Sequence, residues 1–153
     1  MKYAMVIDMR RCIGCASCVV ACKTTNNVPY GVNGSRMEYE EVGTFPKTHI
    51  ERTPMLCMQC DNPPCVPVCP TEATYKDSEG IVRVDQDKCI GDGACTAECP
   101  YGARTLLETA PESYFPGMAR NAQEKLQEET FKKNKVSKCE FCYTRLEEGK
   151  APA

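Results

Sequence analysis

"CIGCASCVVAC", residues 12–22, sets four cysteines at the spacing C-x2-C-x2-C-x3-C. Three thiolates this close together can wrap three irons of one cubane cluster. The fourth, on a helix that follows, then points away towards a second cube. The run therefore predicts short loops wound around inorganic clusters rather than a layered aliphatic core.

Three further groups repeat the theme along the chain. "CMQCDNPPCVPVCP" (57–70) holds Cys57, Cys60, Cys65 and Cys69 at the looser spacing C-x2-C-x4-C-x3-C-P, and Pro63 and Pro64 shape its longer arm. "CIGDGACTAECP" (89–100) holds Cys89, Cys95 and Cys99, with Asp92 where the pattern calls for a second cysteine. "CEFC" adds Cys139 and Cys142. Together with Cys12, Cys15, Cys18 and Cys22 these make thirteen cysteines in 153 residues.

The rest of the composition agrees. Leu, Ile, Val and Phe make up 25 residues, about 16% of the chain, fewer than an ordinary apolar core uses. Bound clusters or cross-links must supply the missing order. A net charge of −2 gives no electrostatic footprint for nucleic acid. Walker loops and G-x-G-x-x-G are absent, so nucleotide binding has no support. The apolar run "CVVAC" (18–22) is too short for a membrane span. Arg10-Arg11 precedes no apolar h-region, so no signal peptide is expected.

Other cysteine chemistries stay open from the residues alone. A disulfide framework suits a cysteine-rich chain, although thirteen is odd and tight x2, x2, x3 groups are unusual for it. Structural zinc also uses C-x2-C pairs and is an alternative for Cys139 and Cys142. It leaves the third and fourth cysteines of the other groups unexplained. A thioredoxin-type pair needs a βαβ setting, and "CEFC" follows a charged helix instead. His49, the single histidine, reads as an ordinary surface residue, Glu38, Glu40 and Glu41 as a solvated face, and "NGS" (33–35) as a turn.

"YAMVID" (3–8) and "GIVRVD" (80–85) predict short strands, each leading into a cysteine group. "CVVACK" and "CTAEC" predict short helices behind their loops. The prolines of 63–70 keep that group in loops and brief turns. Residues 23–56 predict a strand-and-loop insertion. The best helix is expected over 116–135, starting at Pro116, with Met118, Ala122 and Leu126 on one face.

"CIGCASCVVACK", "CMQCDNPPCVPVCPTEA", "CPYGAR" and "KCEFCYTRLEEGKAPA" together resemble the iron–sulfur electron-transfer subunits of molybdopterin oxidoreductases of the polysulfide, thiosulfate, tetrathionate, arsenate and dimethyl sulfoxide reductase type. The resemblance covers nearly the whole chain and is weakest over 23–56 and 105–135. It implies an α+β fold, one compact unit of two interleaved ferredoxin-like modules with short strands, short helices and long loops around the clusters. Residues 1–22 with 136–153 would form the first module, incomplete at its C-terminal end, and 54–108 the second. Residues 23–53 and 109–135 would be insertions. It also implies a ligand pairing by position. Cys57, Cys60, Cys65 and Cys99 would hold one cluster, and Cys69, Cys89, Cys95 and Asp92 another. Cys12, Cys15 and Cys18 would begin a third, and Cys22, Cys139 and Cys142 a fourth. Up to three would be [4Fe-4S] clusters. The Asp92 cluster would be [3Fe-4S], as in nitrate reductase relatives that lack the matching cysteine, or a [4Fe-4S] cluster with a carboxylate as hard oxygen ligand.

The function so implied is an electron relay with no catalytic residue of its own. It would run between a molybdenum- or tungsten-pterin catalytic subunit and a quinone-linked membrane anchor or a cytochrome, without a membrane span in this chain. The rival is a free-standing polyferredoxin-like carrier; a zinc-bound interaction module is a third class. The resemblance favours a peripheral complex on the periplasmic face, exported with its partner, over a cytoplasmic one. It also places two further cysteine ligands just beyond Ala153. A polypeptide that continues with a cysteine-containing tail is therefore expected; the alternatives are ligands from another chain or depleted clusters at that end.

Overall fold

The computed structural model describes residues 3–153. Three separate two-stranded antiparallel sheets and four short helices are joined by long loops. After one 3-10 turn at Met9–Arg11, α1 spans Ser17–Thr25. Strands β1 (Ser35–Thr44) and β2 (Lys47–Leu56) then form a long hairpin, paired from Ser35 with Leu56 to Thr44 with Lys47. β3 (Thr74–Lys76) pairs with β4 (Val82–Val84). Asp77 closes the turn between them, its Oδ1 accepting from the backbone of Glu79 (3.0 Å) and Ile81 (2.8 Å). α2 (Ala94–Ala97) follows, then β5 (Arg104–Leu107), α3 (Ala122–Thr130), β6 (Lys135–Lys138) and α4 (Tyr143–Glu147). β6 returns to pair with β5, setting Arg104 opposite Lys138 and Leu107 opposite Lys135.

The main core is small and partly made of sulfur. Cys65, Cys89 and Cys95 are buried with Ala73, Val82, Val84 and Val136, and Val66, Val68, Cys69 and Leu106 pack against them. A second cluster joins Val28, Val32, Leu107 and Phe131. Free cysteine behaves as a small hydrophobe in such a setting, which is how so few large aliphatic residues can enclose a core.

The 80–85 strand, the two short helices and the strand insertion within 23–56 are present. Two expectations fail. Residues 3–8 form no strand: Tyr3, Met5, Val6 and Ile7 are exposed, and no described strand offers its ladder to them. The helix expected over 116–135 is only Ala122–Thr130. Asn121 caps it through a reciprocal capping box with Glu124, so the helix starts there and Pro116 stays in the preceding turn. Its buried face is also not the apolar one. Glu124 and Gln127 are each 1% exposed, whereas Leu126 and Met118 face outward. Glu124 turns inward because its carboxylate accepts from Ser113 Oγ (2.7 Å), Tyr114 N (2.8 Å) and Asn121 N (2.8 Å).

Candidate metal centres

All thirteen cysteines are free thiols. Cys57, Cys60, Cys65 and Cys99 line one pocket. They come from two loops more than thirty residues apart, and β3–β4 and β5 hold those loops together. Pro63, Pro64, Pro100, Val82 and Ala103 complete the wall. The Ala103 amide donates to Cys99 Sγ (3.4 Å). Arg104 donates through one nitrogen to Cys65 Sγ (3.0 Å) and through the other to Thr74 Oγ1 (3.1 Å). Burial nonetheless pushes the Cys65 thiol up, against the pull of that guanidinium.

A second cavity joins Cys22, Cys139 and Cys142, from opposite ends of the sequence. Asn26 Nδ2 donates to both Cys22 Sγ and Cys142 Sγ at 3.7 Å. The wall comes close at Gly34, where a Cβ would stand 3.2 Å from Cys22 Sγ. Cys142 itself has a left-handed backbone, φ +52, as does Phe141 at φ +59, and this tight turn starts α4. Burial pushes the Cys139 thiol up to about 11. The Phe141 amide donating to Cys139 Sγ (3.5 Å) partly opposes that.

Cys69, Cys89 and Cys95 meet in the main core. Burial raises Cys69, but hydrogen bonds from the Thr74 amide and from Thr71 outweigh it and leave the thiol below its ordinary value. Asp92 is exposed, between Gly91 (φ +74) and Gly93 (φ +78). Gly91 has no room for a side chain, because a Cβ there would run into the Asn134 carbonyl. Cys12, Cys15 and Cys18 lie along one loop, Cys12 half-buried and the other two exposed. That loop rests on the β1–β2 hairpin. Tyr39 Oη donates to the Gly14 carbonyl (2.8 Å), and the Arg52 side chain crosses Gly14.

These features suit iron–sulfur clusters on the chemistry of the donors. Soft thiolates stand around hollows, backbone amides donate to sulfur, and proline and aliphatic walls limit water. Among the described residues, no three His, Cys, Asp or Glu side chains are drawn together as they would be around a single ion. When bound, the clusters would supply one-electron valence changes at positions the chain fixes.

Several supporting residues escape a reading by motif. Lys76 donates to the Cys60 carbonyl (3.0 Å), Lys135 to that of Cys89 (2.5 Å) and Lys138 to that of Cys139 (2.8 Å). Gln59 accepts from Val82 N (2.8 Å) and donates to the Cys139 carbonyl (3.2 Å), tying one cysteine loop to another. The only advance signal is a lysine directly before Cys89 and another directly before Cys139.

Three family models, each described as a 4Fe-4S dicluster domain, match residues 11–73, 48–111 and 81–146. The thiosulfate reductase electron transfer subunit of Salmonella typhi is 39% identical over 99% of this chain and 69% of its own length. The chain belongs to this family of iron–sulfur electron-transfer subunits. A selenate reductase subunit of Mesobacillus selenatarsenatis is 44% identical over 97% of the chain. A tetrathionate reductase subunit of Salmonella typhimurium is 40% identical over 99% of it. The chain spans just over half the length of these last two relatives, 54% and 52%. Among the described residues no helix is long and apolar enough to cross a membrane.

Proposed function

We propose that this chain relays electrons within a respiratory-type reductase complex, between a molybdenum- or tungsten-pterin catalytic subunit and a membrane-anchor or cytochrome subunit that exchanges electrons with quinone. The observation that carries the reading is the meeting of Cys57, Cys60, Cys65 and Cys99 around one pocket. Four soft donors brought together from two distant loops are what a cubane needs, and the likeness to 4Fe-4S dicluster domains favours it over a four-cysteine zinc site. Cys22, Cys139 and Cys142 support a second site of the same kind, with Cys12, Cys15 and Cys18 beginning another. The modules proposed are 1–22 with 136–153, and 54–108, interleaved in sequence. The complex would sit peripherally on the periplasmic face, exported with its catalytic partner.

At the fourth site the proposal is a [3Fe-4S] cluster on Cys69, Cys89 and Cys95, or a [4Fe-4S] cluster that Asp92 completes. Losing one thiolate changes the ligand charge, and with it the potential. Asp92→Cys should convert a three-iron paramagnetic signal, seen in oxidised protein, into that of an ordinary four-iron cluster with a lower potential. Identical spectra and iron content in the two proteins would remove Asp92 from the account.

The decisive experiment is anaerobic purification from the native source, with partners identified and iron and acid-labile sulfide counted. Co-purification with a pterin-containing subunit is the expected result. A monomer that is stable and reversibly reducible alone would instead favour a free carrier, and a zinc-only protein would end the cluster reading.

A further inference from the structure

Arg104 and Lys138 are only 5% and 6% exposed, and they stand directly opposite each other in the β5–β6 pair. Two cations side by side in a core are costly unless something negative joins them. Among the described residues neither forms an ion pair with a carboxylate. Arg104 is held by Thr74 Oγ1 and Cys65 Sγ. Lys138 is held by the carbonyls of Val82 and Cys139. Cys57 and Glu140 both lie close enough that a negative charge on either would favour charged Lys138. Arg104 lines the pocket of Cys57, Cys60, Cys65 and Cys99, and Lys138 meets its wall at the Val82 carbonyl while also lining the neighbouring cavity of Cys22, Cys139 and Cys142.

We propose that Arg104 and Lys138 are a built-in counter-charge for the cluster held by Cys57, Cys60, Cys65 and Cys99, and that they raise its reduction potential. A cubane with four thiolates is an anion, and taking up one electron from a donor makes it more negative by one charge. Fixed cations in a low-dielectric wall favour the reduced form. The proposal rests on the cluster reading above.

The test is a redox titration of the anaerobically reconstituted full chain, with dithionite as reductant and mediators, followed by electron paramagnetic resonance. Cys65→Ala identifies the signal of this cluster by its loss. If Cys65→Ala keeps all iron and every signal, the ligand reading itself fails and the proposal falls with it. Otherwise Lys138→Met and Arg104→Gln should each lower the reduced-to-oxidised ratio of that one signal at least tenfold at fixed potential, a shift of about 59 mV. Lys138→Arg and Arg104→Lys should stay near wild type. If a neutral variant loses the cluster while its charge-keeping counterpart retains it, the counter-charge is upheld. If both lose it, the role is structural and the proposal is overturned. An unmoved potential in both neutral variants, with iron intact, also overturns it.

Discussion

Residues 57–104 and residues 3–22 carry the same kind of cysteine loop in different surroundings. In the first, Cys65, Cys89 and Cys95 are buried, two strand pairs brace the loops, and amides and a guanidinium point at sulfur. In the second, Cys15 and Cys18 are exposed, Ile13 and Val20 face outward, and α1 buries no residue. Yet 12–22 has the regular spacing, and 57–70 the irregular one. Spacing decides whether thiolates can wrap a cube; it does not decide how well the wrapping is packed. Packing depends on strands that close over the loop from distant parts of the chain.

Iron removal gives the largest expected effect. Oxidation with chelation should lower hydrogen-exchange protection across β3 and β4 by orders of magnitude, because the small core is built around the cysteines. Residues 3–22, with little buried backbone, have little protection to lose. Equal losses in both regions would erase the contrast.

Glycine substitutions sharpen it next. Gly91→Ala sets a Cβ against the Asn134 backbone at φ +74 and should cost about 3 kcal/mol in the cluster-loaded protein. Gly14→Ala has the same φ but meets only the flexible Arg52 side chain, so about 1 kcal/mol is expected. Denaturant unfolding of both variants measures the difference.

Core truncation should repeat the pattern on a smaller scale. Val82 is 1% exposed and Val20 is 62% exposed. Val82→Ala should cost about 2 kcal/mol and Val20→Ala no more than about 0.5 kcal/mol. Similar costs would mean that the N-terminal loop is better covered than its exposure indicates.

The smallest effect lies outside both regions. Asn121→Ala removes the α3 cap and should cost about 1 kcal/mol with no loss of iron. The Ser113 hydroxyl first, then the Asn121 and Tyr114 amides, hold the Glu124 carboxyl below its ordinary value. Its contribution is therefore complete above about pH 4.3, the usual glutamate value, and fades as pH falls through the lowered folded value. Glu124→Gln should flatten that part of the acid-stability curve and leave the iron content unchanged.

The cysteine positions, the 80–85 strand and the helices behind the loops are legible in the sequence because short-range spacing and alternation dictate them. The strand expected at 3–8 fails because a short apolar run becomes a strand only beside a partner strand, and that partner is a long-range matter. The start of α3 escapes because Pro116 is a weaker signal than a capping box formed by Asn121 and Glu124. Arg104 and Lys138 are invisible as a pair. Each reads as a polar residue beside a cysteine group, and only the pairing of β5 with β6 buries them together.

Gln59 has a consequence for speed. Its side chain ties the Cys57–Cys60 loop to the backbone at Val82 and Cys139, so the gap between the two neighbouring sulfur pockets is held by two part-buried hydrogen bonds. Tunnelling falls steeply with distance, and a gap that does not breathe makes hopping insensitive to solvent and to slow fluctuation. In a relay of the kind proposed, the rate across this junction would then be adjusted through driving force alone, by the charges at its two sides.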